Sequence, residues 1–234
     1  MSKDSSDFEK NIGVAFKNKD FLKEALTHRS YLNEHPEWAV FHNERLEYLG
    51  DAVLELVTTE YLFHFYPNYQ EGELTSLRAA LVNYQMMAKV AREISLEQYL
   101  FLSKGEAKDS GKAREVILAN ALESLIGAIY LDHGYDVTKT FIERFIISHL
   151  REVVDQKLYR DPKSVFQEIM QEKKKVTPTY RVLRETGPDH QKQFLVGVFL
   201  DEELVAQGQG TSKQEAESSG AKAALELFGL ESDK

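Results

Sequence analysis

The sequence contains no cysteine, which excludes disulfide-stabilised scaffolds and metal sites built from thiolates. It also lacks an excess of positive charge, because 29 Lys and Arg residues face 38 Asp and Glu residues and the formal net charge is −9. A protein with this net negative charge is not expected to bind nucleic acid non-specifically. Any affinity for nucleic acid must therefore come from a local arrangement of basic groups and helix N-termini, and it will depend strongly on salt.

Long hydrophobic runs are absent as well. The longest nearly uncharged stretch, residues 116–131, carries a glutamate and is shorter than the roughly 20 residues that span a bilayer. The N-terminus is polar and acidic, whereas a signal peptide begins with basic and then apolar residues. We therefore expect a cytoplasmic protein without a membrane segment. Its 234 residues, 42% of them hydrophobic, suffice for one large domain or two small ones.

Helical periodicity dominates the chain before residue 160. Apolar residues recur there at three- and four-residue intervals, and no stretch shows the alternation of a β-strand. The pattern predicts an all-helical N-terminal domain. Its predicted helices are two over 8–35, the second capped by Asp20, and further ones over 43–66, 73–101, 114–132 and 137–155.

The helix that begins at residue 43 carries three acids on one face. Its predicted buried face consists of Leu46, Leu49, Val53 and Leu56. Glu44, Glu47 and Asp51 fall within a sector of roughly 60° on another face, and Gly50 beside them leaves room for a close approach. Acids at this spacing usually form only a solvated face, so the triple alone does not establish a site.

A second helix, over 114–132, carries Glu123 as its only charge between Glu115 and Asp132, which predicts that this stretch is buried. A buried carboxylate needs a partner, and Asn120 one turn earlier offers an amide oxygen on the same face. One interpretation is a salt bridge to an arginine such as Arg45 or Arg78. The other is a hard cation, Mg²⁺ or Mn²⁺, held by clustered carboxylate and amide oxygens.

The pattern changes after residue 160. A helix over 162–173, alternating stretches over 179–184, 193–200 and 203–208, and a helix over 212–228 predict the order α-β-β-β-α. Two helices on one face of a small antiparallel sheet make an α+β domain. We therefore divide the chain into an all-α domain at 1–156, a linker at 157–161 and an α+β domain at 162–231.

These segments resemble the ribonuclease III family in its short bacterial arrangement. His42–Leu54, with the sequence HNERLEYLGDAVL, resembles the family signature, and Ile117–Asp132 resembles its second acidic motif. The last segment resembles a double-stranded-RNA-binding domain through Phe166-Gln-Glu, Pro178-Thr-Tyr, the Gly187–His190 loop and Gly210–Ala216. The resemblance covers nearly the whole chain.

The resemblance implies a Mg²⁺-dependent endoribonuclease, with Mn²⁺ as a possible substitute. It would cut double-stranded RNA to 5′-phosphate and 3′-hydroxyl ends with a two-nucleotide 3′ overhang, in processing of ribosomal RNA precursors and structured messenger RNA. It would act as a homodimer, each subunit cutting one strand. The implied roles are catalysis by Asp51 and Glu123, metal binding by Glu47, Asp51, Asn120 and Glu123, support by Glu44, and a dimer contact by Tyr48, where the family commonly has Phe.

The implied RNA contacts in the last domain are Gln167, His190 and Lys213. A helix N-terminus with Lys213 can grip phosphates across the major groove, while Gln167 and the loop around His190 reach 2′-hydroxyls in the flanking minor grooves. The family usually has a second basic residue where this chain has Gln214, so we expect weaker phosphate binding than the family norm. Residues 161–234 are themselves acidic, with 10 Lys and Arg against 13 Asp and Glu.

Position 120 departs from the family pattern, which usually has Asp. Asn120 can still ligate Mg²⁺ but brings no charge, so the ion is expected to bind less tightly. The residue is either a natural variant that tolerates a neutral ligand or a deliberate weakening of the site.

Two other functions compete with the nuclease. The first is a double-stranded-RNA-binding regulator whose first domain only dimerises. The second is a helical scaffold with an interaction module, but this interpretation leaves Glu123 unexplained.

Two further predictions concern residues outside the acidic motifs. His28 is expected to be a core or capping histidine rather than a ligand. The polar loop over 103–112 contains Lys104, Lys108 and Lys112. This loop is either an exposed connection or a contact to RNA phosphates near the acidic residues.

Overall fold

The computed structural model describes residues 5–157, 159–188 and 192–229. The chain forms two compact units, Met1–Tyr159 and Arg160–Lys234. The described part of the first unit is helical, and the second combines helices with a three-stranded sheet. The predicted fold class is therefore confirmed.

The first unit is a bundle of short and long helices. They are α1 (Ser6–Ile12), α2 (Lys19–Ala25), α3 (Arg29–Glu34), α4 (Glu44–Phe65), α5 (Glu71–Val82), α6 (Tyr84–Glu93), α7 (Lys112–His133), α8 (Tyr135–Phe145) and α9 (Leu150–Asp155). Short 3₁₀ turns lie at Leu96–Tyr99, Glu106–Lys108 and Ile147–His149.

Three predicted helix boundaries were wrong. The stretch 8–35 holds three helices, because the side chain of His28 accepts a hydrogen bond from the backbone of Ser30 and starts α3. This contact also confirms that His28 is a capping residue. The cap of α2 is Asn18, which accepts from the backbone of Asp20 at 3.0 Å, so Asp20 follows the cap. The predicted helix over 137–155 breaks at the 3₁₀ turn between α8 and α9.

Helix α7 forms the centre of the first unit and packs against α2, α4, α6 and α8. Its fully buried positions include Leu118, Ala121, Leu122, Leu125, Ile126, Ala128 and Ile129. Among the described residues it is the one helix long and apolar enough to cross a membrane by length and composition. Its apolar character is explained by burial inside the helical bundle, since such a core helix passes the same test.

The buried stripe of helix α4 is shifted around the helix from the predicted one. Leu46 and Val53 are buried as expected, but Leu56 is 57% exposed. The buried stripe instead follows Leu46, Gly50, Val53, Leu54 and Val57. An apolar residue is thus left on the outer side of the helix, and the prediction for Leu56 was wrong.

The second unit consists of α10 (Pro162–Lys174), β1 (Thr179–Thr186), β2 (Gln193–Leu200), β3 (Glu203–Gly210) and α11 (Lys213–Leu227). The antiparallel strands lie in the order β1-β2-β3, with Val198 paired to Tyr180 on one side and to Ala206 on the other. Phe166 and Met170 of α10, Val198 and Leu200 of β2, and Ala224 of α11 share one core. Both helices therefore cover the same face of the sheet, as the alternating pattern predicted.

Candidate functional site

The two acidic helices touch each other through their backbones. A Cβ atom built on Gly50 of α4 would lie 1.7 Å from the carbonyl oxygen of Glu123, and one built on Gly127 of α7 would lie 2.3 Å from the carbonyl oxygen of Leu46. Only glycine permits an approach this close. The crossing sets the acidic face of α4 against the part of α7 that carries Asn120 and Glu123.

Four predicted site residues interact at this crossing. Burial, together with the charges of Asp51 and Glu47, raises the pKa of Glu123 to about 8. Burial also raises the pKa of Glu47, as do the charges of Glu44 and Asp51, while a hydrogen bond from the side chain of Asn120 lowers it. The structure therefore brings Glu47, Asp51, Asn120 and Glu123 together.

Glu44 lies at the edge of this group, in the first turn of α4. Its Oε1 atom is 3.3 Å from Nη1 of Arg29, and both side chains are largely exposed, so the ion pair is screened by water. The effect of Glu44 on the pKa of Glu47 shows that the two carboxylates are close. Glu44 thus lies next to Glu47 and is paired with an arginine on its other side.

The salt-bridge interpretation of Glu123 is not borne out by the described residues, which give this side chain no ion pair. Arg78 lies 3.9 Å from Glu55 instead, and Arg45 acts on Glu24. Among the described residues, Glu123 thus interacts with the acids Asp51 and Glu47 and forms no ion pair with an arginine.

Three carboxylates and one amide supply the kind of hard oxygen donors that Mg²⁺ and Mn²⁺ prefer. Within the described parts of the chain, no group of three or more Asp, Glu and His side chains is already arranged to hold a metal ion. Mutual repulsion opposes closer approach of these acids, and it adds to the effect of burial in raising the pKa of Glu47 and Glu123. A divalent cation would relieve that repulsion, so the donor set fits one chemically.

Two residues that sequence reasoning missed hold the crossing in place. The backbone of Asn43, just before α4, donates to the carbonyl of Thr27 at 2.9 Å, and its side chain donates to the carbonyl of Ala25 at 3.4 Å. The hydroxyl of Ser124 has two acceptors for its one proton, the carbonyl of Asn120 in the same helix at 2.7 Å and the carbonyl of Asn43 at 3.2 Å. The position of Asn43 before a predicted helix could have indicated its role, since Asn is frequent there. Nothing in the sequence around Ser124, which lies in an apolar helix, indicated its contact.

The structure describes two of the three predicted RNA contacts of the second unit. Gln167 is exposed on α10, and Lys213 is exposed at the first position of α11. His190 lies outside the described residues. The structure describes no contact between Gln167 and Lys213.

A carboxylate that sequence reasoning overlooked lies at the N-terminus of α11. Ser212 accepts from the backbone of Glu215 at 3.2 Å, and Glu215 accepts from the backbone of Thr211 at 2.8 Å. The pair resembles a capping box, except that Glu215 accepts from the residue before the N-cap and not from Ser212 itself; the spacing Ser-x-x-Glu could have revealed it. Glu215 also places a negative charge in the first turn of α11.

The loop over 103–112 lies against α3. The backbone of Ser103 donates to the hydroxyl of Ser30 at 3.1 Å. Lys104, Lys108 and Lys112 are all exposed, and Nζ of Lys112 lies 5.8 Å from the centre of the Tyr84 ring. All three lysines are thus accessible to a ligand.

Comparison with known proteins agrees with this arrangement. Residues 18–150 match a family model described as Ribonuclease-III-like, and residues 162–227 match the Double-stranded RNA binding motif. Ribonuclease 3 of Carboxydothermus hydrogenoformans is 46% identical over 220 residues, which cover 94% of each chain. Ribonuclease 3 of a Nitratiruptor species is 41% identical over 226 residues, 97% of each chain.

A solved structure is also similar. It is the nuclease domain of ribonuclease III from Campylobacter jejuni, with 42% identity and a TM-score of 0.56, covering 62% of this chain and 97% of that one. Its description refers to a region involved in dimer formation. Family models, relatives and fold agree with the resemblance seen in the acidic motifs, and this chain belongs to the ribonuclease III family of endoribonucleases.

Proposed function

We propose that this protein is a Mg²⁺-dependent endonuclease that hydrolyses double-stranded RNA, leaving 5′-phosphate and 3′-hydroxyl ends and a two-nucleotide 3′ overhang. The observation that supports it most directly is the meeting of Glu47, Asp51 and Asn120 with the partly buried Glu123 at the glycine crossing. A helical scaffold has no need for a carboxylate whose pKa is raised to about 8 by burial and like charges. A metal-dependent hydrolase needs such a carboxylate to hold its cation.

Each acidic residue has a role in this proposal. Glu47, Asp51, Asn120 and Glu123 hold the cation, with Glu44 at the edge of the site. When bound, the cation supplies positive charge against the scissile phosphate and activates water for hydrolysis. Asp51 and Glu123 are the residues without which catalysis fails. The amide of Asn120 holds the carboxylate of Glu47 by a hydrogen bond while adding no charge of its own.

The remaining predictions complete the proposal. The catalytic domain spans 1–156, the linker 157–161 and the RNA-binding domain 162–231, with Gln167, His190 and Lys213 as RNA contacts. The protein acts in the cytoplasm as a homodimer, in processing of ribosomal RNA precursors and structured messenger RNA, and Mn²⁺ can replace Mg²⁺. The dimer-forming region described for the Campylobacter jejuni nuclease domain supports the homodimer. So does Tyr48 on α4, which is 83% exposed.

Asn120 favours a second candidate function, a double-stranded-RNA-binding regulator with a silenced nuclease domain. An amide at this position removes one negative charge from the metal site.

One experiment separates the two functions. The purified protein, its Asn120→Asp variant and its Glu123→Ala variant are incubated with a long end-labelled RNA duplex in Mg²⁺ and, separately, in Mn²⁺. Cleavage by the unmodified protein that Glu123→Ala abolishes identifies an active nuclease; cleavage by Asn120→Asp alone identifies a silenced one.

Asn120→Asp is expected to lower the Mg²⁺ concentration needed for half-maximal cleavage by about 3- to 10-fold, because a charged oxygen replaces a neutral one. Titration of Mg²⁺ in the cleavage assay measures the change, and calorimetric Mg²⁺ binding to the RNA-free protein gives a readout independent of activity. Asn18→Asp, at the cap of α2, is the matched control and should leave both values unchanged. An unchanged or higher Mg²⁺ requirement in Asn120→Asp would contradict a ligand role for this residue.

Lys213→Ala is expected to weaken binding of duplex RNA by about 3- to 10-fold and to reduce the slope of log K against log salt by about one, since one phosphate contact is lost. Binding is measured by fluorescence anisotropy over a range of salt concentrations, without divalent ions. Lys222→Ala is the control, because Lys222 is also exposed on α11 but lies more than two turns from the helix N-terminus. Equal losses in the two variants would show that only the overall charge matters.

A further inference from the structure

A fully buried serine lies next to Glu123 in α7. Ser124 is 0% exposed, and the neighbouring Leu122, Leu125 and Ile126 are fully buried apolar residues. Burying a hydroxyl costs free energy unless it forms hydrogen bonds, and alanine fits the same position without that cost. The contacts of the hydroxyl therefore decide what this serine contributes.

The hydroxyl lies between two carbonyl groups of different segments. Oγ of Ser124 is 2.7 Å from the carbonyl oxygen of Asn120 in α7 and 3.2 Å from that of Asn43, the residue before α4. A bond to the carbonyl four residues earlier is common for serine in a helix, but the second acceptor lies outside that pattern. The single proton of the hydroxyl is thus shared between α7 and the start of α4.

Asn43 connects this hydroxyl to Glu47. The carbonyl of Asn43 accepts from the backbone of Glu47 at 2.9 Å, and the backbone of Asn43 donates to the carbonyl of Thr27 at 2.9 Å. Asn43 is only 3% exposed, so these bonds are shielded from water. The hydroxyl of Ser124 therefore links the backbone of Asn120 to the carbonyl that anchors the first turn of α4.

This link differs in kind from the glycine contacts of the same crossing. Close packing at Gly50 and Gly127 limits how near the two helices can lie. It does not by itself fix how one helix is turned or shifted against the other, because van der Waals contact is not directional. A hydrogen bond is directional and fixes that register.

We propose that Ser124 is a positioning residue of the acidic site. Its hydroxyl holds the backbone of Asn120 and the first turn of α4 in the register at which the side chains of Asn120 and Glu47 meet. The inference rests on the proposed function, in which both side chains hold the cation. The amide of Asn120 forms a hydrogen bond with the carboxylate of Glu47, so a small shift of either backbone separates them. Groups that orient metal ligands without touching the ion contribute about 10- to 100-fold to metal affinity.

Ser124→Ala is expected to raise the Mg²⁺ dissociation constant of the RNA-free protein about 10-fold, at the lower end of that range because the hydroxyl acts through the backbone. Isothermal titration calorimetry measures the change. The Mg²⁺ concentration for half-maximal cleavage of duplex RNA is expected to rise by the same factor, while the rate at saturating Mg²⁺ and the RNA affinity without divalent ions stay the same. A variant that binds Mg²⁺ as tightly as the unmodified protein would overturn the proposal.

Thr58→Val is the matched control. Thr58 is a fully buried residue of α4, and its hydroxyl makes no hydrogen bond within the described part of the chain. Valine has nearly the same shape, so this variant removes a buried hydroxyl from the same helical unit without removing a contact. It is expected to leave Mg²⁺ binding unchanged. Equal weakening in Thr58→Val and Ser124→Ala would reject a specific role for Ser124.

Amide hydrogen exchange tests the link without any metal. Ser124→Ala is expected to speed exchange of the Glu47 amide about 3- to 10-fold, the scale of one lost hydrogen bond, because the first turn of α4 is held less firmly. The amide of Ile129, in the buried part of α7, is expected to exchange as before. Unchanged exchange at Glu47 would contradict the proposal.

The design separates failure of this inference from failure of the proposed function. If the unmodified protein neither binds Mg²⁺ nor cleaves duplex RNA, the proposed function and this inference are both wrong. If it does both and Ser124→Ala behaves identically, only the inference is wrong. If Ser124→Ala lowers the melting temperature but leaves Mg²⁺ binding unchanged, the residue serves the fold alone and the positioning role is rejected.

Discussion

Glu123→Gln is expected to lower the rate of duplex RNA cleavage at least about 100-fold, the scale on which loss of one preorganised electrostatic group reduces turnover. The substitution keeps the shape of the side chain and removes the charge that would hold the cation. Initial rates on an end-labelled duplex in Mg²⁺ measure the loss, and RNA affinity without divalent ions is expected to be unchanged. Glu172→Gln, at an exposed position of α10, is the matched control. Normal cleavage by Glu123→Gln would remove the residue from the mechanism.

The same variant is expected to be more stable than the unmodified protein when no metal is present. The pKa of Glu123 is about 8 in the folded protein and 4.5 as its ordinary value, so folding favours the protonated form. Stability is therefore full below pH 4.5 and falls as pH rises toward about 8, where folding must bury the charge. Because the side chain is only partly buried, we expect a gain on the order of 2 kcal/mol for Glu123→Gln above that pH.

Denaturant unfolding in EDTA at several pH values measures this gain. Asp51→Asn is an informative comparison, since Asp51 is exposed and its removal is expected to abolish cleavage with a smaller gain in stability. A Glu123→Gln variant that is no more stable than the unmodified protein at high pH would show that the buried carboxylate is compensated by another group. Loss of activity together with a gain of stability is the behaviour of a residue that serves function at the expense of the fold.

Gly50→Ala is expected to destabilise the first unit by about 3 to 5 kcal/mol and to abolish cleavage. The added Cβ would lie 1.7 Å from the carbonyl oxygen of Glu123 and 2.6 Å from its carbonyl carbon. Both are backbone atoms of the central helix, so the clash cannot be relieved by turning a side chain. The helices must separate, and the acids on α4 then move away from Asn120 and Glu123.

Thermal unfolding and cleavage assays test this prediction, with Gly72→Ala as the control. A Cβ on Gly72 meets nothing within 4 Å, and the residue lies in the first turn of α5. Alanine there is expected to leave activity unchanged and to leave stability unchanged or higher by up to about 1 kcal/mol. If Gly50→Ala behaved like Gly72→Ala, the close contact of α4 and α7 would not be needed for the site.

Much of the fold could be predicted because its signals are local. A buried helix face repeats every three or four residues and a half-buried strand alternates, so the helical unit and the α-β-β-β-α unit follow from patterns within single segments. The acids that meet were predictable for the same reason, since Glu47 and Asp51 share one helical face and Glu123 is a lone charge in an apolar helix.

Other features depend on which segments pack together, and no local pattern contains that information. Leu56 has the spacing of a buried residue, yet it is exposed because α7 covers the neighbouring stripe of α4. The chain alone allowed a salt bridge for Glu123; packing instead placed it among acids, and burial raised its pKa. A surface cavity beside Tyr48 is likewise lined from α2, α4 and α7.

The amino-acid sequence by itself determined the helices, the strands, the family and the types of residue at the site. The tertiary structure decided which of those residues meet, which lie in water and which carboxylate is difficult to ionise. The physical reason is that periodicity is a property of neighbours along the chain, whereas burial and electrostatic interaction arise between residues far apart in sequence, such as Gly50 and Glu123.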